Sequence, residues 1–331
     1  MLLRLYKGTG PGEIALVLLI AVLIWLNAFI HPVLNSTLYY DIDPMPLYRL
    51  LSMAIGKSVI TGTAFTFVLV LLMIFLVTNF NTSHFFINER TFLPSTIYLL
   101  LTGLFPHYQT LNPVLPASVF LMLAIRTIAD SYRKPGIAHN FFDASFLIGT
   151  GSLFYANTIW FGVLIFIGIT IFRTGNIREF VITLIGLITP FLLTAGIYFV
   201  LGLNITSLKE SFIFNLFSES DKYSFPRMVI AGIVILEIIV IVSLVYLFST
   251  INNKKIKSRK TFTTLIWTMV ICLTVYFAVP SASGELIWFV AIPVSYIVAH
   301  YLIFSHNKII PEIVFSIILL VLIFMQILNL R

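Results

Sequence analysis

The chain has 331 residues, of which 59% are hydrophobic and only 10% charged, and its mean hydropathy is +1.04. A soluble domain is about 45–50% apolar and about 25% charged, so the composition excludes a soluble enzyme, a disordered chain and a nucleic-acid-binding domain, and leaves a polytopic membrane protein. The net charge of +7 fits the Lys and Arg that collect in cytoplasmic loops, while the single cysteine, Cys272, and the 6 scattered histidines form neither a disulfide nor a metal-binding spacing.

A membrane-crossing helix needs roughly 20 mostly apolar residues. About eleven such spans are predicted, at 13–34, 58–79, 91–106, 112–128, 142–155, 157–172, 179–202, 227–249, 261–279, 285–304 and 309–329. Arg4 and Lys7 precede the first, which is too long for a signal-peptide core and reads as an uncleaved span. With the N-terminus inside, 14 of the 20 basic residues fall in inner loops and 6 in outer ones, which predicts an N-in, C-out topology. The run Lys254–Lys260 is the strongest anchor and lies where anionic lipid headgroups would be. The fold class is therefore an all-α polytopic membrane protein, with residues 1–331 forming a single transmembrane domain.

The first outer loop, NSTLYYDIDPMPLYRLLSMAIGK, carries Asp41 and Asp43 one residue apart. Leu47, Leu50, Leu51, Ala54 and Ile55 then follow helical spacing, with Arg49, Ser52 and Lys57 off the stripe, which predicts an interfacial helix. Paired carboxylates at such a mouth suit three roles: a divalent cation such as Mg or Mn held by hard oxygens, a general base with an orienting partner, or a solvated turn before Pro44. His31 closes the first span, and His107 and Tyr108 sit in the short outer turn FPHYQTLNP, where they would line a pocket with Asp41 and Asp43 or serve as interfacial anchors. Gly149 and Gly151 allow close helix approach. The fourth outer loop, NITSLKESFIFNLFSESDKYSFP, reads as a second interfacial helix, a lid over a lipid-facing groove, or a surface loop polar on one side and apolar on the other. Glu237, in VILEIIVIV, lies deep in an apolar span, so it is expected to be paired, protonated or facing a cavity.

The order of these parts resembles the membrane module of lipid-dependent glycosyltransferases of the GT-C superfamily. The likeness rests on YYDIDPMPLYRLLSMAIGK, on the hairpin FLPSTIYLLLTGLFPHYQTLNPVLPASVFLMLAIR and on the glycine-containing FFDASFLIGTGSLFYANTIWFGVLIFIGITIFR. It covers roughly residues 13–200, with 201–331 as additional helices, and Asn112 stands where that family often has an acidic residue. The resemblance implies transfer of a sugar from a polyprenyl-phosphate donor at the outer face of a bacterial cytoplasmic membrane. Asp41 or Asp43 would act as base or hold the cation, and Arg49, Lys57 or Arg227 would neutralise the leaving phosphate. His107, Tyr108 and Asn112 would face the substrate, and a membrane groove would take the prenyl tail. The whole chain also resembles an uncharacterised bacterial inner-membrane family. Two other functions compete: a non-enzymatic subunit that scaffolds an envelope complex with membrane-protein partners, and a transporter, to which Glu237 would be central.

Overall fold

In the computed structural model, residues 8, 10–30, 39–56, 58–132, 138–172, 177–219, 227–307 and 309–328 are described. Among them the chain is all-α, with no strand. In chain order the helices are α1 (Pro11–Ile30), α2 (Tyr39–Ile42), α3 (Pro46–Ile55), α4 (Val59–His84), α5 (Leu93–Thr102), α6 (Val114–Asp130), α7 (Ala138–Ser152), α8 (Gly162–Phe172), α9 (Ile177–Val200), α10 (Ile205–Phe217), α11 (Arg227–Thr250), α12 (Ile256–Ala278), α13 (Ile287–Phe304) and α14 (Ile309–Leu328). Seven of the described helices are long and apolar enough to cross a membrane: α1, α4, α9, α11, α12, α13 and α14. Each coincides with a predicted span. The four remaining predicted spans form shorter helices, α5 to α8.

Lipid cannot hydrogen-bond a bare backbone, so only elements that satisfy themselves or their neighbours survive inside a bilayer. Helix α5, at 10 residues, is far short of the roughly 20 needed to span. All 10 are buried, so protein rather than lipid surrounds it. Its hydroxyls turn back onto the chain: Ser95 and Thr96 donate to Phe92 O, and Thr102 donates to Tyr98 O. At its far end the carbonyl of Gly103 accepts a 2.7 Å hydrogen bond from Gln326 Nε2 of α14. Helix α13 is apolar on every side and is buried along almost its whole length, as such a helix must be to sit in a core. Tyr296 on α13 donates to Val77 O of α4 at 2.8 Å. By contrast α1, α9 and α11 expose long apolar rows, among them Leu19, Leu23, Leu192, Ile197, Ile238 and Ile241. These rows are the surface offered to lipid.

Helices α7 and α9 lie unusually close. A Cβ on Gly149 would stand 2.7 Å from the backbone oxygen of Leu187, and one on Gly186 would stand 2.1 Å from Ser145 Oγ and 2.7 Å from Phe142 O. Small residues permit this approach, as the glycines of α7 had suggested.

The loops divide between two ends of the bundle. One end carries α2, α3, the 105–112 turn, the 3-10 segment Ala156–Phe161, α10 and the 279–286 connection. The opposite end carries Arg90, Arg126, Arg178, Lys254, Lys255, Lys257, Arg259 and Lys260. There Lys254 lies over the rings of Phe262 and Phe304, at 5.5 and 4.9 Å, and Lys260 over Tyr132 and Phe172, at 5.6 and 5.9 Å. The basic run predicted as a loop is largely helical, because α12 starts at Ile256 and its first turns carry Lys257, Arg259 and Lys260.

Gly186→Leu should force α7 and α9 apart and cost about 1–3 kcal/mol, read as a lower thermal midpoint in detergent. Gly196→Leu, on the same helix but with nothing within 4 Å of its Cβ position, should leave the midpoint unchanged.

Candidate functional site

Between its prolines and Gly56, α3 is helical as predicted, and its apolar stripe is divided: Leu47 and Leu51 pack against the bundle, while Leu50 and Ala54 face outward. Leu50 and Met53 are exposed, whereas Pro46 and Tyr48 are buried. The helix is tied to the bundle by Leu47 N–H donating to Leu153 O at 3.1 Å. The exposed Leu50 and Met53 suit a helix lying on a membrane surface.

The two carboxylates just before α3 have different surroundings. Asp41 is exposed, and Tyr48 Oη donates to its Oδ1 at 3.2 Å. Asp43 is half-buried against α10: Ser211 Oγ donates to its Oδ1 at 2.9 Å and Asn215 Nδ2 to its backbone oxygen at 2.6 Å. The second interfacial helix is thus docked on the first outer loop, through residues 168 and 172 positions apart in the chain. Among the described residues no group of three or more His, Cys, Asp or Glu could hold a metal ion. Each carboxylate is engaged by a different hydroxyl, Asp41 by Tyr48 and Asp43 by Ser211.

Behind Asp41 lies a buried polar centre that sequence reasoning missed. Glu285, in the 3-10 turn before α13, is 1% exposed. Tyr155 Oη donates to its Oε1 at 3.3 Å, and Ser283 Oγ donates to its Oε2. Asn157 Nδ2 donates to Tyr155 Oη at 3.2 Å and to Ser281 Oγ at 2.9 Å, and Ser281 Oγ donates to Leu216 O of α10 at 3.0 Å. A buried carboxyl survives only with such partners. Tyr40 joins the centre from the first outer loop. Its phenol is pushed well above the ordinary value, by burial first and then by Glu285, Tyr48, Asp41 and Tyr108. The Tyr48 phenol is likewise pushed up by burial, by the charge of Asp41 and by the hydrogen bond to it. The signal available in sequence was PSASGEL, an acidic residue among small hydroxyls at the start of a span. Nothing in that string says that Tyr155 and Asn157 come to meet it.

The other expected residues scatter. Tyr108 is buried, packs on Phe105 at 6.0 Å between ring centroids and lies near Tyr40. His107 is beside it and half-buried, and burial lowers its pKa, so the imidazole is neutral at neutral pH. Asn112 is buried and occupied by its own turn: Nδ2 donates to Tyr108 O and Thr110 O, and Oδ1 accepts from Leu115 N–H. That is a helix-start role for α6. Gln109, also in this turn, is fully buried, with neither amide atom hydrogen-bonded among the described residues. Arg49 is exposed on α3, and Arg227 opens α11. His31 and Lys57 lie outside the described residues. Glu237 stands apart, near the middle of the 24-residue α11, on a groove of about 350 Å³ between α5, α11, α12 and α13.

An all-α multi-pass membrane protein with a polar centre at one end of its bundle is the class these features define. The chain belongs to DUF6427, described as a family of unknown function, whose model matches residues 46–331. That stretch includes Tyr48, Glu237 and Glu285 and begins after Asp41 and Asp43. No curated protein and no solved structure matches the chain.

Because burial raises Tyr40 and Tyr48, the neutral phenols belong to the folded state. Their contribution to stability is complete below the unfolded value of about 10 and is lost as pH climbs above it. At pH 11, Tyr40→Phe and Tyr48→Phe should therefore leave the phenolate absorbance of the folded protein unchanged, and the wild type should lose thermal stability as pH rises past about 10.

Proposed function

We propose that the chain is a membrane glycosyltransferase that uses a polyprenyl-phosphate-linked sugar at the face carrying Asp41, and that this is the outer face of a bacterial cytoplasmic membrane. The observation that carries the reading is the position of Asp41. It is exposed at the rim of the buried Glu285–Tyr155–Tyr40 centre, on a loop held between two surface helices. Both helices offer apolar side chains outward, Leu50 and Met53 from α3 and Ile213 and Phe217 from α10. A prenyl chain would lie along them while its head group meets a polar acceptor. The basic residues at the opposite end of the bundle support placing that end in the cytoplasm.

In the transfer, the acceptor hydroxyl gives its proton to the Asp41 carboxylate as its oxygen bonds to the anomeric carbon of the sugar. The bond from that carbon to the phosphate oxygen breaks, and polyprenyl phosphate leaves with the electron pair. Tyr48 holds the Asp41 carboxylate in place, and Arg49 on the same turn supplies positive charge for the departing phosphate. A second reading, a non-enzymatic subunit of an envelope complex, draws on Asp43 and Asn112, whose side chains serve the packing of α10 and the start of α6.

Native mass spectrometry of the mildly extracted protein should find a bound polyprenyl-phosphate species. In proteoliposomes supplied with that lipid-linked sugar, Asp41→Asn should reduce turnover by about 10²–10⁴-fold, the usual share of a general base, at unchanged protein level. A stoichiometric protein partner without the lipid, or full turnover by Asp41→Asn, would sink the transferase and leave the subunit reading.

A further inference from the structure

The groove on α11 has a composition that hydrocarbon alone does not explain. Its walls are almost wholly apolar, with Phe105, Leu236, Val240, Met269 and Val290 among them, and one ionisable side chain, Glu237, stands in the lining. Glu237 is exposed, as are Val234, Ile238 and Ile241 on the same helix, so the carboxyl is reached from the side that faces lipid. It has no hydrogen bond and no ion pair among the described residues. It lies close to the middle of a 24-residue helix. An acidic residue at the centre of a bilayer costs a few kcal/mol. A bare hydrocarbon occupant would bury that carboxyl without offering it a partner.

The occupant that meets both halves of this surface is an apolar molecule bearing one cationic centre. Its hydrocarbon covers the walls and its charge pairs with the carboxylate, an attraction strengthened by the low dielectric of the surroundings. The groove, at about 350 Å³, lies within the usual range of about 300–1,000 Å³ for small-molecule sites, which are likewise mostly apolar with a few placed polar groups. We propose that this groove is a binding site for lipophilic organic cations, entered from the bilayer, with Glu237 as the residue that selects the charge. The proposal does not depend on the transferase reading, since none of the residues given a step in that transfer lines the groove.

Tetraphenylphosphonium is the probe, a permanent cation shielded by four apolar rings. Equilibrium dialysis of the full-length protein in detergent should show saturable binding of one probe per chain. Glu237→Gln should weaken it at least about tenfold, a loss of one ion pair at low dielectric, while Glu237→Asp keeps most of it. Unchanged thermal midpoints for both variants would show that the fold is intact; should Glu237→Gln not fold, protection of wild-type Glu237 by the probe from a lipophilic carbodiimide is the replacement measurement, and absence of protection overturns the proposal. Equal binding by Glu237→Gln overturns it as well. So does equal binding of neutral triphenylphosphine and the cation, which would make the groove a slot for neutral lipid, or an absence of saturable binding because a second copy covers α11.

Discussion

A carboxyl buried at the root of a membrane helix has no water to turn to, and the polar end of this molecule is organised around how Glu285 is satisfied. Tyr155 and Ser283 donate to its two oxygens, Asn157 donates to Tyr155 and to Ser281, and Ser281 in turn fastens α10 through Leu216. Four separate stretches of chain are therefore joined at one point: the 279–286 connection, the segment after α7, α10 and, through Tyr40, the first outer loop. Removing the carboxyl would take the acceptor from two buried hydroxyls at once, those of Tyr155 and Ser283, and an unsatisfied buried donor is costlier than the bond it once made was favourable.

The same centre gives the exposed Asp41 its setting. The chain from Glu285 through Tyr40 and Tyr48 to Asp41 runs from a fully buried carboxyl to an exposed one across buried phenols. A carboxylate beside neutral phenols, on a segment clamped by α10, is held more firmly than a surface loop would hold it. This is what makes the polar end a candidate for chemistry on a lipid-borne substrate. The groove at Glu237 obeys a different logic, since its carboxyl meets lipid with no such network behind it.

Particular residues show where sequence reasoning reached its limit. Asp41 and Asp43 were legible as a pair, but their division of labour was not: one is exposed and the other is bound to Ser211 and Asn215, some 170 positions away. Asn112 read as a substrate contact because of its place in a family pattern, yet its amide is occupied by the turn it sits in. Glu285 passed unnoticed because a charge at the end of an apolar run looks like any residue at a membrane interface. Glu237 was conspicuous for the opposite reason, being a charge in the middle of one.

What the sequence determined by itself is the membrane class, the approximate bounds of the helices, the two interfacial helices and the deep placement of Glu237. Each follows from the local alternation of apolar and polar residues measured against bilayer thickness, a property that any short stretch displays alone. Only the tertiary structure decided that the short α5 is enclosed by protein, that glycines bring α7 against α9, that Tyr40, Tyr155 and Glu285 meet, and that Glu237 opens onto a groove. Those outcomes depend on which helices become neighbours, and the partners of a buried polar atom come from distant parts of the chain that no local pattern pairs.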